Sequence, residues 1–309
     1  DTQYSTYSNT ANATTQACLT APTLVSPPDG TLTNNNRPVL TWSSVAAADQ
    51  YQIQIGIANT FASPDQDVTQ PGLSYTAATL ADATTYFWRV RASSGGFTGP
   101  WSAIWRFTVD TMPPATPRLG TPRDRTNTPD TTPRFTWTGV RGADRYHLQV
   151  SDVPGFGSLL IDNDMLPYAN YTVPDISRLL YETYFWRVRA HDAAGNWSGW
   201  STINTFTVTL LKTPRNGDFT IDMTPPLRWA GVLGATRYWL QVSTVPDIDA
   251  DPTPPINLDS LTGTVFSPLS PLGYGRYYWR MQVDLGGGYT GDWTPIWTFT
   301  VTPSVPVKP

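Results

Sequence analysis

Apolar and polar residues alternate in short runs along this chain, and the runs recur. In Tyr51-Gln-Ile-Gln-Ile55, Tyr51, Ile53 and Ile55 share one side while Gln52 and Gln54 share the other. The same pattern returns as Tyr146-His-Leu-Gln-Val150 and Tyr238-Trp-Leu-Gln-Val242. A period of two is that of a β-strand with one buried face. A longer run, Tyr86-Phe-Trp-Arg-Val-Arg-Ala92, recurs as Tyr184-Phe-Trp-Arg-Val-Arg-Ala190 and, more loosely, as Tyr277-Tyr-Trp-Arg-Met-Gln-Val283. Tyr86, Trp88, Val90 and Ala92 point inward in this pattern, and Phe87, Arg89 and Arg91 point outward. Each copy is preceded by a tryptophan (Trp42, Trp137, Trp229) and closed by Phe-Thr-Val at Phe107, Phe206 and Phe299. The tryptophans stand roughly 95 residues apart, a domain-sized period. Helical spacing is not sustained over any useful length. The pattern predicts an all-β chain of three similar sandwiches.

Composition sharpens this picture. The 309 residues include 29 Pro and 23 Gly but only 14% charged residues, as expected for short strands joined by fixed turns. Thirteen Trp and 15 Tyr can fill several small cores, which excludes wholesale disorder. A net charge of −4 supplies no long-range attraction for nucleic acid. No apolar run reaches the ~18 residues of a membrane span. The basic residues are 18 Arg against two Lys, Lys212 and Lys308. Planar guanidinium groups stack on aromatic rings, which ammonium groups do poorly. The chain starts at Asp1 rather than Met, which is expected equally of a mature secreted form and of a segment cut from a longer chain. Cys18 is the one cysteine, so no internal disulfide framework forms.

The order of motifs resembles fibronectin type III domains. Tryptophan falls on the second strand, Tyr-x-Leu-x-Val on the third, and Leu-x5-Tyr-x-x-x-Val-x-Ala follows. The resemblance implies three tandem immunoglobulin-like sandwiches over 21–110, 114–209 and 211–303, joined by short linkers into a semi-rigid rod. It also implies a tyrosine corner at Leu80 and Tyr86, with Tyr184 and Tyr277 in the same place. There the leucines, Leu179 and Leu272, sit one residue closer. The linker Asp110-Thr-Met-Pro-Pro114 and the turn Asp192-Ala-Ala-Gly-Asn196 look like those of repeat-bearing bacterial surface and secreted proteins. An extracellular location follows as an expectation.

Several candidate sites stand out. Trp197-Ser-Gly-Trp-Ser201 spells the W-S-x-W-S box of type I cytokine receptors, whose tryptophans interleave with arginines of a neighbouring strand. Arg187 and Arg189 occupy the matching outward positions around Trp197 and Trp200. Arg89 and Arg91 do so for Trp101, and Arg280 for Trp293. Gln282 replaces the next arginine, so a shorter third ladder is expected. A receptor of that family also needs paired cysteines, so the box reads as a stabilising ladder. Trp239, beside the outward Tyr278, is either a ladder member or a platform for a protein or a sugar ring. Asp247, Asp249 and Asp251 alternate as Ca²⁺ ligands can, yet lack the glycine-centred turn and bidentate Glu of a calcium loop. Asp65 with Asp67, and Asp162 with Asp164, are expected in the equivalent loops. No cofactor is implied, and no nucleophile–base or phosphate-binding motif appears, so no enzyme is expected. Asn12, Asn170 and Asn196 head N-glycosylation triplets.

Residues 1–20 lie outside the repeats and are rich in Ser, Thr, Asn and Gln, with Tyr4 and Tyr7 as their aromatics. A polar segment of this kind is suited to strand addition on an exposed sheet edge. The expected function is a structural subunit of an extracellular fibre or surface layer built from copies of itself. The alternative is a monomeric adhesin or spacer, or a carbohydrate-binding accessory region, with glycans or another surface protein as partner.

Overall fold

A computed structural model describes residues 18–287 and 290–304. Tyr4 and Tyr7 lie outside them. The fold is all-β; among the described residues the only helical turns are two short 3-10 segments, Asp175–Ser177 and Ile248–Ala250.

The first sandwich opens with β1 (Leu24–Ser26), β2 (Thr31–Thr33) and β3 (Val39–Trp42). It continues with β4 (Gln50–Gly56), β5 (Gln66–Gln70) and β6 (Ser74–Thr76), and closes with β7 (Thr84–Ser94), β8 (Phe97–Trp101) and β9 (Trp105–Val109). One sheet has the order β1-β3-β6 and the other β2-β9-β7-β4-β5, with β8 on β7. β2 runs parallel to β9 and every other pairing is antiparallel. The inner faces bury Trp42, Tyr51, Ile53, Trp88, Val90 and Phe107. Burial along β7 alternates residue by residue, as its sequence period requires.

The second sandwich uses β10 (Thr126–Thr128), β11 (Arg134–Thr136), β12 (Ala143–Ser151), β13 (Ile161–Leu166), β14 (Asn170–Thr172), β15 (Thr183–Asp192) and β16 (Asn204–Val208). Its large sheet is β10-β16-β15-β12-β13, facing the pair β11-β14. The third uses β17 (Leu211–Thr213), β18 (Asp218–Thr220), β19 (Leu227–Trp229), β20 (Arg237–Ser243), β21 (Ile256–Leu261), β22 (Val265–Phe266), β23 (Gly275–Asp284) and β24 (Trp297–Val301). Its sheets are β17-β19-β22 and β18-β24-β23-β20-β21. Each sandwich has its own apolar core, and the half-buried Tyr181 packs against both the second and the third.

Within the described residues, one compact unit runs to Pro113 and takes in the turn Asp192–Asn196. The second unit holds Pro114–His191 and the residues from Trp197 onward. In the first unit the Asp192 carboxylate accepts from Ala194 N and Asn196 N, while Asn196 Nδ2 donates to the Asp110 carbonyl at 2.8 Å. That buried amide has no freedom to carry a glycan.

The tyrosine corners form in two versions. Tyr184 Oη donates to the Leu180 carbonyl at 3.1 Å and Tyr277 Oη to Gly273 at 2.9 Å. Tyr86 Oη instead accepts from Ala81 N at 3.0 Å. One extra residue between leucine and tyrosine turns an amide rather than a carbonyl toward the phenol.

The polar amino-terminal segment does not end where its composition does. Leu19 is buried in the first core, against Gly99, while Cys18 stays exposed. Cys18–Thr20 therefore belongs to the first sandwich, because an apolar Leu19 gains more from the core than from water.

Candidate functional site

The outer face of each large sheet carries a layered stack. In the second sandwich Arg187 Cζ lies 4.1 Å from the Phe156 ring centroid and 4.3 Å from that of Trp200. Arg189 follows, 4.6 Å from Trp200 and 4.4 Å from Trp197, and Arg145 closes the row 5.4 Å from Trp197. The first sandwich repeats a shorter version: Phe61, Arg89, Trp101, Arg91, with separations of 4.3, 4.1 and 4.5 Å. In the third, Arg280 sits 4.3 Å from Trp293 and the stack goes no further along the arginine strand. The expected rungs are thus brought together, and Phe61, Phe156 and Arg145 join them.

The serine or threonine after each tryptophan holds the ring in place. Ser102 N donates to the Val90 carbonyl at 2.8 Å, and Ser102 Oγ accepts from Val90 N at 3.0 Å. Ser201 does the same for Val188, Ser198 for Ala190 and Thr294 for Met281. A hydroxyl at this spacing satisfies a strand amide that would otherwise be left without a β-partner. The tryptophan before it is thereby laid across the arginines. The box is a loop-to-strand stitch repeated in every sandwich, twice in the second.

A further layer runs across the strands. Arg89 donates from Nε and Nη2 to Gln54 Oε1 at 3.0 and 2.8 Å, and Gln54 Nε2 donates to Asp67 at 2.9 Å. Arg91 reaches Gln52 at 2.7 Å, and Gln52 Nε2 reaches Asp67 at 2.6 Å. The second sandwich has Arg187–Gln149–Asp162 and Arg189–His147–Asp162 in the same roles. In the third, Arg280 donates to Gln241 at 2.9 Å, and Gln241 faces Asn257. Burial lowers the proton affinity of Arg89 and of Arg187, and each has a neighbouring arginine acting the same way. The glutamine and aromatic contacts compensate for the water each guanidinium gives up. The repeated Gln at outward strand positions was the available signal for this relay.

Several expectations change. Asp67 and Asp162 stand on β5 and β13 as relay acceptors, not in loops, because strand pairing extends further than the turn residues suggest. Asp247, Asp249 and Asp251 do not converge as a Ca²⁺ site. Asp249 is ion-paired with Arg280, while Asp251 accepts from Ser243 Oγ and Thr253 N. Hydrogen bonding and the charge of Arg280 hold the Asp249 carboxyl below the usual range. Among the described residues no three His, Cys, Asp or Glu side chains are grouped as metal ligands would be. Trp239 and Tyr278 are not a pair. Trp239 lies opposite Gln282, with its ring 6.2 Å from Trp293, whereas Tyr278 lies opposite Ser243 further along β23. Antiparallel register separates them by four residues. His147, on an outward strand position, is nonetheless 8% exposed, because Trp197 and Trp200 cover it. No helix among the described residues is long and apolar enough to cross a membrane.

The model of the Rha78A-like, N-terminal immunoglobulin domain family matches residues 169–212. Comparison with curated proteins gives no match. Among solved structures, the FN1–FN3 domains of chicken CNTN1 are similar at 15% identity with a TM-score of 0.26, covering 92% of this chain and 99% of that one. The fibronectin(III)-like modules of Clostridium thermocellum CbhA are similar at 16% identity with a TM-score of 0.41, covering 60% and 93%. The chain carries successive β-sandwiches, and the immunoglobulin-domain match falls on residues 169–212 of it.

Proposed function

We propose that this chain is a non-catalytic, extracellular structural region. It serves as a subunit of a surface fibre or layer, and the segment before Cys18 adds as a strand to a sheet edge of another copy. The observation that supports this reading most is the repeated outer-face ladder. In each sandwich the aromatic surface a ligand would use is already stacked on the chain's own arginines. The sheet edges β2, β10 and β18, each paired on one side to a parallel neighbour, are the natural acceptors. Head-to-tail addition of this kind builds an open filament. The test is to delete residues 1–17 and compare the intact and truncated proteins by negative-stain microscopy and sedimentation. Filaments from the intact protein alone support the reading. Equal assembly, or no assembly by either, overturns it.

A second reading is an accessory module of a larger secreted protein, which the match at 169–212 favours. Its contact surface would be the half-buried Trp239 beside Trp293 in the third sandwich. Glycan-array binding abolished by Trp239→Ala would select this reading over the first.

A further inference from the structure

The chain has two histidines, and both lie buried in the second sandwich at the end of its ladder. Each is held between an arginine and an aspartate. His147 Nδ1 accepts from Arg189 Nε and Nη2 at 3.2 and 3.1 Å, and His147 Nε2 meets Asp162 Oδ1 at 2.5 Å. His191 Nε2 meets Arg145 Nη2 at 2.8 Å, and His191 Nδ1 meets Asp144 Oδ1 at 2.8 Å. Arginine only donates and carboxylate only accepts, so the network assigns one tautomer to each ring. His147 carries its hydrogen on Nε2 and His191 on Nδ1. His147 thus fills the place held in the first sandwich by Gln52, which accepts from Arg91 and donates to Asp67. A glutamine cannot lose its acceptor at any ordinary pH. An imidazole loses its acceptor on gaining a proton.

We propose that His147 and His191 form a proton-sensitive lock on the second ladder, closed when both rings are neutral and opened by their protonation. A proton on His147 Nδ1 points at the Arg189 guanidinium, which must withdraw, and Arg189 is the rung between Trp197 and Trp200. A proton on His191 Nε2 does the same to Arg145 over Trp197, against which the His191 ring also packs at 4.5 Å. The charged groups facing the two rings are Arg189 and Asp162 for His147, and Arg145 and Asp144 for His191. The carboxylates would welcome the cation, but Asp162 is 51% exposed and Asp144 39%, so solvent screens their pull. The lost acceptors lie on rings that are only about a tenth exposed, where an unmatched donor is costly. The first and third sandwiches have Gln52 and Trp239 in the place of His147 and lack the device.

The test has two arms. Imidazole ¹⁵N spectra of the intact chain at pH 7.5 should show the Nε2–H tautomer at His147 and the Nδ1–H tautomer at His191. As the chain is acidified and the rings take up protons, the indole signals of Trp197 and Trp200 should move together with the ring signals, while that of Trp101 stays. The variant His147→Gln/His191→Gln keeps a donor and an acceptor at each place and should lose that acid-dependent movement. Opposite tautomers, protonation that leaves Trp197 and Trp200 unmoved, or equal movement in the variant would each overturn the lock.

Discussion

Replacing Arg89 by lysine tests whether the ladder is a source of stability or a surface ornament. Lysine keeps the charge and most of the aliphatic stem but loses the plane and the forked donors. Arg89 stacks between Phe61 at 4.3 Å and Trp101 at 4.1 Å, so two ring contacts weaken. At partly exposed sites each is worth about 0.5–1 kcal/mol. The two hydrogen bonds to Gln54 Oε1 also go, and Gln54 is a buried residue. One replacement contact from the ammonium recovers part of that, leaving a loss of about 1 kcal/mol. The expected cost of Arg89→Lys is therefore about 2–3 kcal/mol. Arg91→Lys should cost about half as much, because Arg91 stacks on one ring and makes one bond to Gln52. The assay is urea unfolding of the first sandwich followed by residue-resolved NMR, with an Arg89/Trp101 double-mutant cycle to isolate the coupling. A cost below about 0.5 kcal/mol for Arg89→Lys, or a coupling near zero, would refute the reasoning.

Acidification gives a second test. Backbone amides of Thr111, Thr205 and Gly286 hold the carboxyls of Asp82, Asp124 and Asp284 below the usual range, and the hydrogen bond from His147 does so for Asp162. Depressed carboxyls stabilise the fold above their unfolded values, near pH 4, and that contribution disappears as pH falls through the folded values. The unfolding midpoint should therefore drop between about pH 4 and pH 2, and a flat or rising midpoint would contradict the contacts. At the alkaline end, burial pushes the Tyr184 phenol up to about 12. Its contribution is complete below about pH 10 and lost as pH rises through the folded value, which absorbance titration of Tyr184→Phe against the parent can resolve. That variant should also lose about 1 kcal/mol at pH 7 with its bond to Leu180. Gly99→Ala places a methyl 2.9 Å from Leu19 Cβ and 3.3 Å from the Leu19 carbonyl. Hydrogen exchange at residues 19–20 should rise and stability fall by about 1–2 kcal/mol; unchanged exchange would show that the segment is not seated there.

The outward arginines and the tryptophans of the Trp-Ser boxes were legible as ladder partners because strand period and chain order place them. The caps Phe61 and Phe156 were not, since both sit in loops at positive φ, 52° and 55°, where no periodicity applies. Trp239 and Tyr278 looked like neighbours because both point outward, but which outward residues meet depends on register. The acidic run 247–251 showed alternating carboxylates without a calcium-loop turn, but its ion pair between Asp249 and Arg280, from another strand, had no local signal.

Local sequence decided what recurs along one strand: which residues face inward, where a repeat begins, and which turns close it. These follow from a two-residue period and a short list of turn-forming side chains, both properties of neighbours in the chain. Tertiary structure decided what happens across strands. It put Gln54 between Arg89 and Asp67, made His147 stand in for a glutamine, and drew Leu19 out of a polar segment into the first core. Those outcomes depend on register and packing between residues far apart in sequence, and no local pattern encodes the distance between them.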